Sequence, residues 1–418
     1  MRRSIVLVGA NILIVLVLLE GALRLFPSIV PTPFLYHFEP DLRTRIAQGR
    51  LPTVGETVLL ERDDGGFPLR IWKPGVTIRH DFEDEGAVRD VTMDEAGFCN
   101  EPGSFSGGPA DIVTLGDSFT WCMSVHPHQT WTSRLAGLTG ARTYNLGKDG
   151  VGPYEYEQIL KQFGLQKSPQ VVIMNLYEGN DLRDAVKYEK YRASLDAEGE
   201  KDEWDNYRGA IYRFLDEGPI RRTSYAFNLV AAAITFASRS VHPRPNFRYD
   251  LLFDHGHVAF NSQNTDTDEI LHARLLDAKE ISLRVMDEAL EDFAALAERH
   301  DFQPIVAYTP SAHTSYEDFV RYKEDGIDDL LEAYSARQRA YLTRKLDQLG
   351  VTFIDLTPVF QEKAREHTEP DELLYYPSNL HLTRFGHLVV AEAMADTITF
   401  SLAARPSESP NGEGPSLN

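Results

Sequence analysis

A serine, a glycine, an asparagine and a histidine, far apart in the chain, are the residues that could do chemistry together. Ser118 closes the run Asp111-Ile112-Val113-Thr114-Leu115-Gly116-Asp117-Ser118, where an apolar stretch ends abruptly in small polar residues. Gly150 follows Asn145-Leu146-Gly147-Lys148-Asp149, Asn180 stands in Glu178-Gly179-Asn180-Asp181, and His381 in Tyr375-Tyr376-Pro377-Ser378-Asn379-Leu380-His381-Leu382-Thr383. Acyl transfer needs this set: an imidazole takes the serine proton during attack and returns it to the leaving group. The N–H groups of Ser118 and Gly150 and the Asn180 side-chain NH₂ suit the oxyanion of a tetrahedral intermediate. Each residue alone has a bland reading: a helix cap for Ser118, a turn glycine for Gly150, a loop cap for Asn180, a surface site for His381.

Strand ends must bring these residues together. Asp111–Leu115, Arg142–Leu146, Val171–Leu176, Pro304–Tyr308 and Val351–Leu356 are apolar runs of strand length, alternating with helical patterns. Such alternation predicts a five-stranded parallel sheet with helices on both faces, and ligands gather beyond its carboxyl edge. Helix-compatible sequence follows Ser118. Pro153 opens a further helix closed by Gly164, Val285 to Ala297 form an apolar stripe, and helices are expected over Ile327–Leu349 and Phe385–Leu402.

Gly116-Asp117-Ser118-Phe119, Gly150, Gly179-Asn180-Asp181 and His381-Leu382-Thr383 resemble the four sequence blocks of the SGNH (GDSL-type) hydrolase superfamily, over about Asp111 to Ala391. The resemblance implies a flavodoxin-like three-layer α/β/α fold and metal-free, cofactor-free ester hydrolysis. It also implies Ser118 as nucleophile, His381 as base, and Gly150 and Asn180 as oxyanion donors. One departure stands out. The family usually carries an Asp two or three residues before the histidine, where this chain has Asn379 and Ser378. That Asp fixes the imidazole tautomer, and its replacement by Asn costs ~10⁴-fold in the serine-protease template. Three outcomes are open: Asn379 orients His381 as a neutral acceptor, Asp371 or Glu372 swings in, or the site is inactive.

Of the 418 residues, 42% are hydrophobic and 25% charged, a globular composition, and the net charge of −21 argues against nucleic acid as a partner. Arg2 and Arg3 precede an apolar run from Ile5 to Leu19, near the ~20 residues that span a bilayer. Residues 1–28 are therefore expected as an uncleaved anchor, single-pass in the cytoplasmic membrane, with the rest periplasmic or extracellular; a cleaved signal peptide is the rival. Glu20 and Arg24 could pair at the outer interface. Residues 29–103 are expected as a linker and small antiparallel β subdomain, 104–401 as the hydrolase domain, and 402–418 as a disordered tail.

An insertion at about 184–277 contains an apolar stretch, Tyr225–Ala237, read either as a helix packed on the core or as a lid over the sheet rim. Cys99 and Cys122 flank the Ser118 segment and form either a disulfide or two buried thiols. His126-Pro127-His128 is read as loop, since proline disfavours shared metal geometry. The functions in view are hydrolysis of acyl esters, acetyl among them, on a glycan or lipid-like substrate, transfer of the acyl group to a polysaccharide hydroxyl, or glycan binding without catalysis.

Overall fold

The computed structural model describes residues 2–30, 38, 57–60, 69–80, 89–104, 108–196, 219–241, 245–262, 264 and 266–403. In chain order the elements used below are α1 (Arg2–Leu25), β1 (Thr57–Leu60), β2 (Leu69–Trp72), β3 (Thr77–His80), β4 (Arg89–Thr92), β5 (Ile112–Gly116), α2 (Trp131–Thr139), β6 (Thr143–Asn145), α3 (Pro153–Ile159), β7 (Val171–Tyr177), α4 (Asp181–Asp196), α5 (Pro219–Thr223) and α6 (Tyr225–Val241). Then follow β8 (Tyr249–Phe253), β9 (Gly256–Phe260), α7 (Asp268–Asp277), α8 (Asp287–His300), β10 (Gln303–Thr309), α9 (Ala312–Ser315), β11 (Val320–Tyr322), α10 (Ile327–Leu349), β12 (Thr352–Asp355), α11 (Thr357–Glu366) and α12 (Arg384–Ala403). They divide between two compact units, Met1–Thr92 with Glu189–Asn246, and Met93–Tyr188 with Phe247–Asn418.

The larger unit is a three-layer α/β fold. Its five-stranded sheet has the order β12-β10-β7-β5-β6, and every pairing is parallel. Relabelled by their order along the chain, the strands run 2-1-3-4-5, the flavodoxin-like arrangement with its switch point between β5 and β7. β5 and β7 are buried at every position, as central strands covered on both faces must be, whereas all four residues of the edge strand β12 are half-buried. Helix limits follow local chemistry. Thr130 caps α2 by accepting from Ser133 N–H, and the left-handed Gly140 and Gly350 end α2 and α10.

Several expectations change. Ser118 is followed by consecutive turns, and the first helix after it begins only at Trp131. The insertion is split: β8 pairs with both β9 and β11 in a three-stranded antiparallel sheet that belongs, with α7, to the sheet-bearing unit.

In the smaller unit, β1 pairs antiparallel with β2, and β3 with β4. The apolar stretch Tyr225–Ala237 lies in α6, whose Ala226 and Ala232 share a buried cluster with Leu23 of α1 and with Val30 and Phe38. Its packing partner within this unit is the N-terminal helix. The Glu20–Arg24 pair forms at 2.6 Å, yet both residues are also engaged by protein. Glu20 accepts from Ser224 Oγ and Ala226 N, and Arg24 donates to Thr223 O. Among the described residues no helix is long and apolar enough to cross a membrane, so the spanning anchor has no support here. Asn11, Glu20 and Arg24 interrupt α1, and the side chains of residues 2–10, 12 and 13 lie outside the description. Most of the expected linker before β1, the charged residues 197–216 and the tail from Pro406 also lie outside the described residues.

Candidate active site

Strands β5, β6 and β7 end side by side, and the turns beyond them carry three of the four candidate residues. Ser118 lies two residues past β5 and is nearly buried. The chain leaving β6 stays beside β5, with Leu146 N donating to Thr114 O at 2.8 Å and Lys148 N to Gly116 O at 2.9 Å. The next turn presents Gly150, exposed and at φ +70°, a conformation glycine adopts without the penalty a side chain brings. Asn180 ends the turn between β7 and α4, and Asp184 N donates to its carbonyl at 2.9 Å.

His381 arrives from the opposite end of the sequence on a pinned loop. Tyr375 bridges Leu382, Tyr376 N donates to His381 O at 2.8 Å, and Tyr375 OH reaches Pro310 O at 2.6 Å. The imidazole lies against the Phe119 ring with centroids 4.9 Å apart, and Phe119 in turn stacks on Tyr177 at 3.5 Å. This stack was not legible in the sequence, although Phe119 adjoins the serine and Tyr177 ends β7.

The polar geometry is specific. His381 Nε2 lies 2.9 Å from Ser118 Oγ, and Nδ1 lies 2.8 Å from the main-chain oxygen of Asn379. A carbonyl oxygen only accepts, so Nδ1 carries the proton and the neutral ring presents a bare Nε2 to the serine hydroxyl. The tautomer that a carboxylate would normally select is thus selected by the backbone. This corrects the expected orienting groups. The Asn379 side chain accepts from the main-chain N–H of His381 at 2.9 Å. Glu372 Oε2 meets His367 Nδ1 at 3.0 Å, Asp371 is exposed, and Ser378 Oγ is buried with no hydrogen-bond partner among the described residues.

Behind the serine lies a buried acidic group that sequence reasoning passed over. Asp117 Oδ1 accepts from Phe119 N at 2.8 Å, and Oδ2 is 3.5 Å from Ser118 Oγ. Burial pushes the Asp117 carboxyl up to about 6; bonds from Phe119 N–H and the Asn180 side chain oppose the rise, and the Asp184 charge adds to it. Asn180 is therefore tied to the residue preceding Ser118, while its Oδ1 is buried without a hydrogen-bond partner among the described residues. Asp181 accepts from Tyr156 OH at 2.5 Å and from Tyr177 N at 2.6 Å, fixing the start of α4.

Cys99 and Cys122 are joined, with Cα atoms 6.0 Å apart, which resolves the open alternative in favour of a bridge. His126 caps the 3₁₀ turn Pro127–Gln129 and His128 lies within it, where the sequence was read as loop. Among the described residues, Glu178, Glu269 and His313 of this unit form a buried group that could hold a cation, with donor atoms within 4.8 Å of one another. Two of them are bonded to each other, His313 Nε2 lying 2.9 Å from Glu269 Oε1. Ser311 donates to Glu269 at 2.6 Å, and Thr314 and Ser335 donate to Glu178 at 2.5 and 3.1 Å.

No family model matches the chain, and neither does any curated protein. Among solved structures, it is similar to a protein assigned to the lipolytic G-D-S-L family from Desulfitobacterium hafniense DCB-2, at 13% identity and TM-score 0.35, over 68% of this chain and 97% of that one. It is similar to LAE5, an alpha/beta hydrolase from the Lake Arreo metagenome, at 12% identity and TM-score 0.36, over 71% and 97%. A third likeness is to a catalytic mutant of the acetylxylan esterase Axe2 from Geobacillus stearothermophilus, at 11% identity and TM-score 0.36, over 70% and 95%.

Proposed function

We propose that the chain is a serine esterase that removes acyl groups, acetyl among them, from a glycan or lipid-like substrate through an acyl-enzyme. The observation that carries this reading is the 2.9 Å approach of Ser118 Oγ to an Nε2 whose tautomer is set by the Asn379 carbonyl. Ser118 Oγ attacks the ester carbonyl carbon as its proton passes to Nε2. The imidazolium then gives that proton to the departing alkoxide, leaving an acylated Ser118. Water repeats the cycle with His381 as base and frees the carboxylic acid. The Gly150 N–H and Asn180 Nδ2 suit the transient oxyanion, each donor of this kind contributing ~10²–10³-fold.

The full-length chain is expected to hydrolyse p-nitrophenyl acetate and to be labelled covalently by a fluorophosphonate. Ser118→Ala should abolish both. Activity that survives this substitution would place the chemistry elsewhere.

We further propose that α1 lies at a cytoplasmic membrane. Its support is Arg2 and Arg3 ahead of the apolar run, together with the exposed apolar side chains Ile14, Val15, Val17 and Leu18. Cell fractionation tests it: the protein should resist a high-pH carbonate wash and leave membranes only with detergent, whereas release by carbonate would sink the anchor.

A further inference from the structure

In the usual arrangement a carboxylate holds the histidine and needs only its own loop. Here the acceptor on Nδ1 is a main-chain oxygen, so the orientation of the imidazole depends on how the peptide of Asn379 is held. That peptide is clamped from both sides. Asn379 Oδ1 takes the His381 N–H at 2.9 Å, closing the loop on itself. Asn379 Nδ2 donates to Ser124 Oγ at 2.9 Å, a contact between residues 255 positions apart. A second tie runs parallel to it, from Tyr376 OH to Ser124 O at 3.4 Å.

Ser124 is itself an unusual residue. It is fully buried, and its φ of +62° lies in the left-handed region, which a serine occupies only where its surroundings insist. Its surroundings are the turns after Ser118, and two residues upstream Cys122 is bonded to Cys99. Cys99 is in turn set in a rigid frame. Asp94 accepts from Ala96 N and Phe98 N, both at 2.9 Å, and Asn100 Nδ2 bonds Asp94 Oδ2 and Asn145 O, both at 2.9 Å. The chain that presents the serine is therefore fastened at Cys122 to a segment packed beside β6, and from Ser124 it reaches across to the loop that presents the histidine.

Building on the esterase reading, we propose that Ser124 is a positioning residue for His381. It acts through Asn379, and the Cys99–Cys122 bridge holds it in place. Ser124 touches neither substrate nor the reacting atoms; its effect is to keep the Asn379 carbonyl on Nδ1.

Ser124→Gly tests this, because glycine accepts the left-handed backbone and the substitution removes only the hydroxyl. With p-nitrophenyl acetate, kcat is expected to fall about 10–100-fold with KM within about twofold, the pattern of a group that acts in the transition state alone. The melting temperature should hold or rise. Reducing the wild-type bridge with a dithiol converts Cys99 and Cys122 to thiols while the reagent closes to its own cyclic disulfide. This should lower kcat by a similar factor and add little to the Ser124→Gly loss, since both act along one chain of contacts. Equal, multiplicative losses in the two proteins would separate the bridge from Ser124 and overturn that link. A Ser124→Gly enzyme with unchanged kcat would overturn the positioning role while leaving the esterase reading intact. A wild type inactive towards the ester and unlabelled by fluorophosphonate would overturn the esterase reading instead. The positioning role can still be read then: ¹H–¹⁵N spectra of the histidine rings, assigned through His381→Gln, should show Nδ1–H alone at His381 in the wild type and a tautomer mixture in Ser124→Gly. An unchanged spectrum would refute it.

Discussion

At the scale of single residues, the group that meets His381 Nδ1 is a main-chain oxygen, at the place where the usual triad has an acid. A carboxylate both selects the tautomer and stabilises the imidazolium by charge; a carbonyl selects the tautomer as well but offers only a dipole. Asn379 is therefore important for where its peptide lies. Asn379→Asp should change kcat by less than about tenfold, because the new carboxylate would occupy the clamp between His381 N–H and Ser124 Oγ and would not face Nδ1. Steady-state hydrolysis of p-nitrophenyl acetate measures this. A thousandfold gain would mean that the side chain, and not the carbonyl, faces the ring.

At the scale of elements, the strand ends are held by backbone-to-backbone proximity that leaves no space for even one methyl group. A Cβ at Gly147 would stand 2.5 Å from Trp121 N and 2.6 Å from Thr120 C, main-chain atoms of the segment that follows Ser118. Gly147→Ala must therefore push the β6 turn away from the serine segment. We expect a loss of about 1–3 kcal/mol in urea unfolding, as for overpacking, together with lower kcat. Gly140→Ala, where nothing lies within 4 Å, should carry only the left-handed backbone penalty and leave kcat intact. Such close approaches explain what was readable beforehand. The continuous apolar runs of β5 and β7 are local signals, and the strands they predict are present. By contrast, the Ser124–Asn379 bond joins residues that no local pattern relates, and a main-chain acceptor is invisible in side-chain identities. The pairing of α6 with α1 escaped for a similar reason: apolar periodicity says that a face is covered, not by what.

At the scale of the whole molecule, buried acids and one buried base set opposing dependences on pH. Burial pushes Asp117 up to about 6 and Glu178 up to about 7, the latter with the Glu269 charge adding to the rise and His313 opposing it. A carboxyl whose folded pKa is raised stabilises the fold fully below its unfolded value, and that stability is lost as pH rises through the folded value. Both groups therefore weaken the fold between about pH 4 and pH 7. His387 runs the other way. Buried, and accepting from Trp131 N–H at 3.1 Å to join α12 to α2, it is driven down to about 3. Its contribution is complete above its ordinary value and is lost as pH falls towards 3. Repulsion within a chain of net charge −21 also favours mild acid, so the buried component must be isolated. Salt separates the two: about 0.5 M NaCl shortens the screening length to a few ångströms and quenches surface repulsion, but leaves buried groups nearly untouched. In that salt, melting temperature should still fall from pH 5 to pH 8. Glu178→Gln should flatten the slope by removing one of the groups that must ionise. His387→Gln should steepen it by removing the opposing group, even if both variants are less stable throughout. A wild-type slope that vanishes in salt, or a Glu178→Gln profile parallel to the wild type, would assign the whole effect to the surface.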